Sequence, residues 1–350
     1  MSQNNRIPAI DADGHIMERR QDFEPYLAKE WQGRSTPLWP GGYRWDADLG
    51  GKLGTAGYGY KRDLSPKQQV EFWHKILDEY EMERAVLFPT GAGSMMKLRE
   101  PGYAEAATEA ANKHFASDYM TDRLRPVGVL PMHNIPAAVE ELRRVAKLGM
   151  PGVEILTDGL HYGLGNPIFD PVYAEAEKLG VAICIHGTRA SADEWGSAKL
   201  STFSEVHAYA FPAGMLLNFT SVMCQGVPVK FPNLRIGFLE IGATWLPYYL
   251  ARLDEHWYTR GQVEMPLLKN KPSDIFRQSH IIVSLEADEP LIPETAEFVG
   301  IEHLVFASDI PHWDGEFPGN LNHLRETDDL TTAQKHKILY DNPKAFFRLS

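Results

Sequence analysis

Eight short apolar runs, rich in β-branched residues, recur along this chain of 350 residues, and stretches of helical period separate most of them. The runs are IPAID (7–11), RAVLFP (84–89), RPVGVLP (125–131), PGVEIL (151–156), VAICIH (181–186), LRIGFLE (234–240), HIIVSLE (280–286) and HLVFASD (303–309). Helical period marks 65–80, 104–120, 137–149, 169–180, 243–258 and 331–347, and Gly149 and Gly180 stand where helix C-caps belong. Strands alternating with helices predict a parallel sheet. Eight of them predict a closed (β/α)8 TIM barrel in a single domain, 1–350. Continuously apolar strands suit it, because a parallel barrel strand is covered on both sides. A doubly wound open sheet is the weaker alternative. No glycine-rich phosphate turn follows the first run, and Gly91-Ala92-Gly93-Ser94 after the second reads as a plain turn. Two segments, 19–64 and 187–212, do not fit the alternation. They read as long insertions after strands one and five that form a lid or an interface.

Composition removes several classes of function. The net charge is −12 and no Lys/Arg-rich run is present, which argues against nucleic acid. No apolar stretch is long enough for a bilayer, and MSQNNRIPAI lacks the basic end and apolar middle of a signal peptide. Cys184 and Cys224 are too few for a disulfide framework and read as small core residues, so a reducing cytoplasm is expected.

The polar residues gather where the predicted strands end, the face on which a barrel carries its active site. They are Asp13 and His15 after strand one, His186 on strand five, Glu240 on strand six, Glu286 on strand seven, and Asp309 with His312 after strand eight. Glu154 lies just inside the end of strand four. Asp13 and His15 are two apart on extended backbone, so their side chains point to one side and can share a divalent ion. Asp11 has the same parity and is expected behind them, orienting His15. Gly14 leaves room for close approach. Taken singly, each residue has a bland account. A histidine at a strand end is more often structural, Asp309 in ASDIP would cap a helix, Glu286 in SLEADEP reads as a solvated loop, and Glu154 would pair with a neighbouring cation. Convergence defeats these accounts, because acids and imidazoles collected at one end remain unpaired or repel unless a divalent cation joins them.

IDADGH at strand one, CIHG at strand five, RIGFLEIGATWLPYYLARLDEHW from strand six onward and VFASDIPHWDGEFPG at strand eight resemble the amidohydrolase superfamily, in the branch related to aminocarboxymuconate semialdehyde decarboxylase. The resemblance covers essentially the whole chain. It implies metal ligands at Asp13, His15, His186 and Asp309, with Glu240 at the strand-six position. Two departures stand out: Asp13 replaces the first histidine of HxH, and Glu240 replaces the strand-six histidine. The resulting carboxylate-rich set, which Glu18 or Glu154 could enlarge, suits Mn or Fe at least as well as Zn and permits one ion or two. The D-x-D-G-H pattern with LE-x-G-x-x-W-x-P is also similar to a subset of amidohydrolase-like oxygenases that includes α-aminoisobutyrate hydroxylase.

Three readings follow. In the first, a hydrolase or decarboxylase acts on a small carboxylated or amide-type molecule. Asp309 or Glu240 is the general base beside metal-activated water, Arg189 grips a substrate carboxylate, and His207 and His312 lie over the site as acid/base groups or further ligands. In the second, a non-haem iron or iron–manganese monooxygenase uses the same pocket, with two ions bridged by Glu240 or Asp309 and held by Asp13, His15, His186 and some of Glu18, His207 and His312. In the third, the chain is a metal-binding partner subunit of such an enzyme. The substrate is a small molecule in each active reading, and a homo-oligomer or a hetero-oligomer with a related barrel chain is expected. Trp245, Tyr248, Tyr249 and Trp257 give the helix at 243–258 more aromatic surface than a helix usually needs.

Overall fold

Every one of the eight apolar runs is a strand in the computed structural model, which describes residues 6–33, 64–188, 195–286, 289–312, 315 and 317–350. The strands are β1 (Ala9–Ile16), β2 (Met82–Pro89), β3 (Leu124–Pro126), β4 (Gly128–Val129), β5 (Gly152–Leu156), β6 (Ala182–His186), β7 (Arg235–Leu239), β8 (His280–Leu285) and β9 (Leu304–Phe306). All pairings are parallel, in the orders β1-β2-β3 and β4 to β9, so each neighbour follows its predecessor in the chain. Parallel neighbours need long crossovers. Helices such as Pro66–Glu79, Pro101–Asp118, Ile135–Lys147 and Asp170–Leu179 supply them.

Among the described residues nine strands replace eight because the third run is interrupted. Val127 stands between β3 and β4 and still donates its N–H to the Leu87 carbonyl (3.0 Å), so this one stretch faces β2 first and β5 afterwards. At the other end, Asp309 N–H donates to Asp13 O (2.9 Å) and His15 N–H donates to Ile310 O (2.7 Å), tying β1 to the segment that leaves β9. Two cores result. The larger lies between the strands and the helices. The smaller joins Ile10, Ala12, Val86, Phe88, Val127, Ala182, Cys184, Leu239, Ile282 and Val305, drawn from β1, β2, β6, β7, β8, β9 and the link between β3 and β4, and Phe346, Phe347 and Leu349 of the last segment pack with them.

The segment 187–212 is not the loop expected. The 22-residue helix Phe203–Cys224 begins inside it, started by a Thr202–Glu205 capping box. Its apolar residues run right round the helix instead of along one stripe, so no amphipathic period announced it. Of 19–64, the structure describes only short helical turns up to Trp31; residues 34–63 lie outside the described residues. The stretch expected at 331–347 is helical from Thr332 to Phe346 but changes pitch, with a π-helical turn at Lys337–Asp341 between two α-helical pieces. Cys184 is buried and Cys224 half-buried, both free. Among the described residues no helix is long and apolar enough to cross a membrane. At helix Leu246–Glu264, the N-cap residue Trp245 and Tyr249 pack on Phe219 while Tyr248 is exposed.

Candidate metal centre

Three carboxylates and three imidazoles meet where the strands end. Asp13, His15, His186 and Glu240 each offer a donor atom, all within 4.8 Å of one another, and His15, Asp309 and His312 form a second such group. β1 reaches this point through a bulge. Asp11 pairs with Ala85 and Gly14 with Leu87, so three steps on β1 oppose two on β2. The bulge re-aims the residues beyond it. Asp11, expected behind His15, is therefore turned elsewhere: its carboxylate accepts from Ser308 N (3.0 Å), Ser308 Oγ and Asp13 N (3.2 Å), and it locks β1 to the exit of β9. Burial raises its pKa to about 7 in spite of those donors.

Glu240 (φ 88°) and Asp309 (φ 56°) both have left-handed backbone. For a residue with a side chain this costs about 1–3 kcal/mol and persists only where the surroundings dictate it. At Glu240 they do: its N–H donates to Ser284 Oγ (3.0 Å), and a Cβ on Gly187 would stand 2.9 Å from Glu240 Cβ and Cγ. Gly187→Ala is therefore expected to push Glu240 aside and weaken metal affinity by roughly tenfold or more, the cost typical of disturbing a residue that positions a ligand. Equilibrium titration with the metal checks this, with circular dichroism unchanged.

The shortest distances are those of atoms around an ion. His186 Nε2 lies 3.0 Å from Glu240 Oε2 and 3.5 Å from Asp13 Oδ1. His15 Nε2 lies 3.2 Å from Asp309 Oδ1, 3.6 Å from Asp13 Oδ1 and 4.0 Å from Glu240 Oε2. Two donors each about 2.1 Å from one cation stand roughly 3.0–3.4 Å apart at octahedral to tetrahedral angles. Asp13 Oδ1, His186 Nε2 and both ring nitrogens of His15 are buried without a hydrogen-bond partner, a costly state unless something binds them. His186 Nδ1 is 2.8 Å from the Gly187 carbonyl, so Nδ1 carries the donated hydrogen and Nε2 is left to accept. Phe88 is an apolar wall, its ring centroid 5.5 Å from His186 and 6.3 Å from His15.

The electrostatics ask for positive charge. Burial opposes a charged His186, yet Glu240 and Asp13 outweigh it and hold its pKa well above the usual value. Burial and the neighbouring His312 and His186 rings hold His15 well below. A proton on His186 thus stands in for a cation, and a divalent ion meets the same demand with both imidazoles neutral. The donors present fit such an ion.

The remaining residues are placed as follows. Glu18 does not join the donors: its carboxylate accepts from the backbone N–H groups of Thr90 (3.1 Å), Gly91 (2.7 Å) and Ala92. His312 stands edge-on to His15, centroids 4.3 Å apart. His207 is on the first turns of helix Phe203–Cys224 between Phe203 and Phe211, outside both donor groups. Arg189 lies outside the described residues. Glu154 is buried 3.9 Å from His186 Nδ1, and burial pushes its pKa to about 8. Glu286 is exposed, and it is Glu289, not anticipated, whose carboxylate accepts the amides of Ala243, Thr244 and Glu286. Ser308 and Trp73 were not anticipated either. Trp73 Nε1 donates to the His15 carbonyl (3.2 Å) and its ring packs on Gly14, filling the space expected to be open.

Parallel strands with a carboxylate- and imidazole-rich cluster at their carboxyl ends define a class of metal-binding α/β proteins. Within that class the chain belongs to the amidohydrolase family, whose model matches residues 10–349. The chain is 25% identical over 245 residues to the 2-amino-3-carboxymuconate-6-semialdehyde decarboxylase of Dictyostelium discoideum, covering 68% of this chain and 65% of that protein. The match thus spans just under two thirds of that relative. An amidohydrolase from Mycobacterium avium subsp. paratuberculosis K-10 superposes with a TM-score of 0.79 at 18% identity, covering 99% of this chain and 100% of the other. A dihydroxybenzoic acid decarboxylase from Polaromonas sp. JS666, solved with bound manganese and the inhibitor 2-nitroresorcinol, gives a TM-score of 0.70 at 18% identity, covering 99% and 97%.

Proposed function

We propose that this chain is a metal-dependent decarboxylase of a small aromatic or unsaturated carboxylic acid. The convergence of Asp13, His15, His186 and Glu240 carries the reading, and kinship with decarboxylases, one solved with manganese, supports it. We also read the strands as a closed (β/α)8 barrel in one domain, with β3 and β4 a single interrupted strand. The bonds from Asp309 and His15 across to the other end support that closure.

Decarboxylation breaks one carbon–carbon bond, releases CO₂ and leaves an electron pair on carbon that must receive one proton. Asp13, His15, His186 and Glu240 would hold the ion, which supplies charge to fix an anionic substrate by its oxygens. Asp309, with its side chain 24% exposed, is the carboxylate most open to a bound molecule and sits 3.2 Å from His15 Nε2. Its position suits handing a proton to the carbon. The Phe88 wall keeps water from one side of that exchange.

The test incubates manganese-loaded protein with dihydroxybenzoates and with 2-amino-3-carboxymuconate-6-semialdehyde and measures CO₂. Metal-dependent CO₂ release is the expected result. Hydrolysis of amides or lactones without any CO₂ release would falsify the decarboxylase reading and leave the hydrolase. Manganese at a hundredfold excess over its Kd is expected to add about 2.7 kcal/mol of stability, seen as a rise in Tm. Its affinity is expected to fall as pH falls, because the ion must displace the proton that Glu240 and Asp13 hold on His186. Calorimetry in buffers of different ionisation enthalpy checks the proton release.

A further inference from the structure

The amino ends of the strands carry a second group of charges, of opposite sign. Arg84 on β2, Arg125 on β3 and Arg235 on β7 share strand parity with members of the inner core: Arg84 with Val86 and Phe88, Arg125 with Val127, Arg235 with Leu239. Arg84 Nη1, Arg125 Nε and Arg235 Nη1 are buried with no hydrogen-bond acceptor. Arg235 is the most enclosed, 7% exposed; its Nη2 donates to the Gly180 carbonyl, and its guanidinium lies 5.9 Å from the Phe346 ring centroid. Arg348 packs so tightly on Gly180 that a Cβ there would overlap its Nη1. A cavity of about 280 Å³ opens beside them, with Arg125, Gly180, Phe347 and Arg348 in its wall.

Among the described residues no carboxylate forms an ion pair with Arg125, Arg235 or Arg348, and Arg84 reaches only Glu83, 3.5 Å from its Nε. Burial and the like charge of Arg348 push the Arg235 pKa down to about 10, so it stays charged at neutral pH at a cost in repulsion. Arg125, with its unused Nε donor, and Arg348 stand in one concave wall and present the planar, multiply donating surface that oxyanions fit.

We propose that this cavity binds a small oxyanion of the phosphate class, at the end of the strands opposite the metal centre. Arg125 and Arg348 contact the ion from the wall, and Arg235 fixes the Gly180 carbonyl behind it and adds charge. The cavity has room for more than the bare ion, so free phosphate and a phosphomonoester share the chemistry it recognises.

Calorimetric titration of the whole protein with inorganic phosphate, and separately with glycerol 3-phosphate, tests this. One saturable site is expected, weakened at least tenfold in the double variant Arg125→Gln/Arg348→Gln, whose circular dichroism should match wild type. Tighter binding of the ester assigns the source as a phosphorylated metabolite, and tighter binding of phosphate assigns the free ion. The proposal is overturned if neither probe binds saturably or if the double variant binds as well as wild type. It is equally overturned if binding disappears in His186→Ala, which would place the anion at the metal centre.

Discussion

His186→Ala is expected to leave a folded protein that retains almost no metal and has lost turnover by more than the roughly 10–100-fold typical of losing a residue that merely orients a ligand. The imidazole is a hub: Nε2 faces Glu240 at 3.0 Å and Asp13 at 3.5 Å, while Nδ1 is anchored on the Gly187 carbonyl. Its removal takes away a donor and the proton that balances the carboxylates when no ion is bound. Elemental analysis of the purified variant, read with CO₂ release, measures both effects. His207→Ala is the control, since that ring sits between Phe203 and Phe211 outside the donor groups, and it should keep its metal. Full metal content in His186→Ala would mean that the ion sits elsewhere.

Gly14→Ala is expected to do comparable damage without removing any donor. A Cβ on Gly14 would lie 2.8 Å from Trp73 Cζ2 and closer still to Cη2. Trp73 is 1% exposed and has nowhere to retreat, and its indole N–H is bonded to the His15 carbonyl. The strain therefore passes into the backbone between Asp13 and His15. Overpacking of this kind typically costs 1–3 kcal/mol. Metal affinity should fall with stability, and Trp73→Phe in the Gly14→Ala background should restore part of both, because phenylalanine lacks the Cζ2 and Cη2 atoms that would overlap the new Cβ. Unchanged Tm and unchanged metal affinity in Gly14→Ala would show that the packing against Trp73 is looser than described.

Much of this architecture was legible because parallel strands covered on both sides must be apolar throughout, and a polar residue at the end of such a run then stands out. That is how Asp13, His15, His186, Glu240 and Asp309 were recognisable. Strict two-residue alternation misled at Asp11, because a bulge is set by pairing with β2 and no residue type marks it. Glu18 misled for a related reason. It is near Asp13 and His15 in sequence, but the turn at Gly91 and Ala92 presents amides that satisfy its carboxylate first. That turn was dismissed as an anion site, yet it does hold an anion, one belonging to the protein. Ser308 and Trp73 carry no signal at all, since their roles come from neighbours distant in the chain. The left-handed backbone of Glu240 and Asp309 is likewise invisible in a sequence that has no glycine there.

The contact of Asp11 with Ser308 joins positions 297 apart. Asp309 and Asp13 meet beside it, so the donor group spans almost the full length of the chain. Contacts of such high order close late, after loop entropy has been overcome at every intervening step. The first strand must wait for the last before either has its partners. Metal cannot template early collapse here, because a partly formed chain offers only Asp13 and His15, or only His186 and Glu240. Acquisition of the ion should therefore trail the burial of aromatic residues during refolding and mark the moment at which the two ends of the sequence come together.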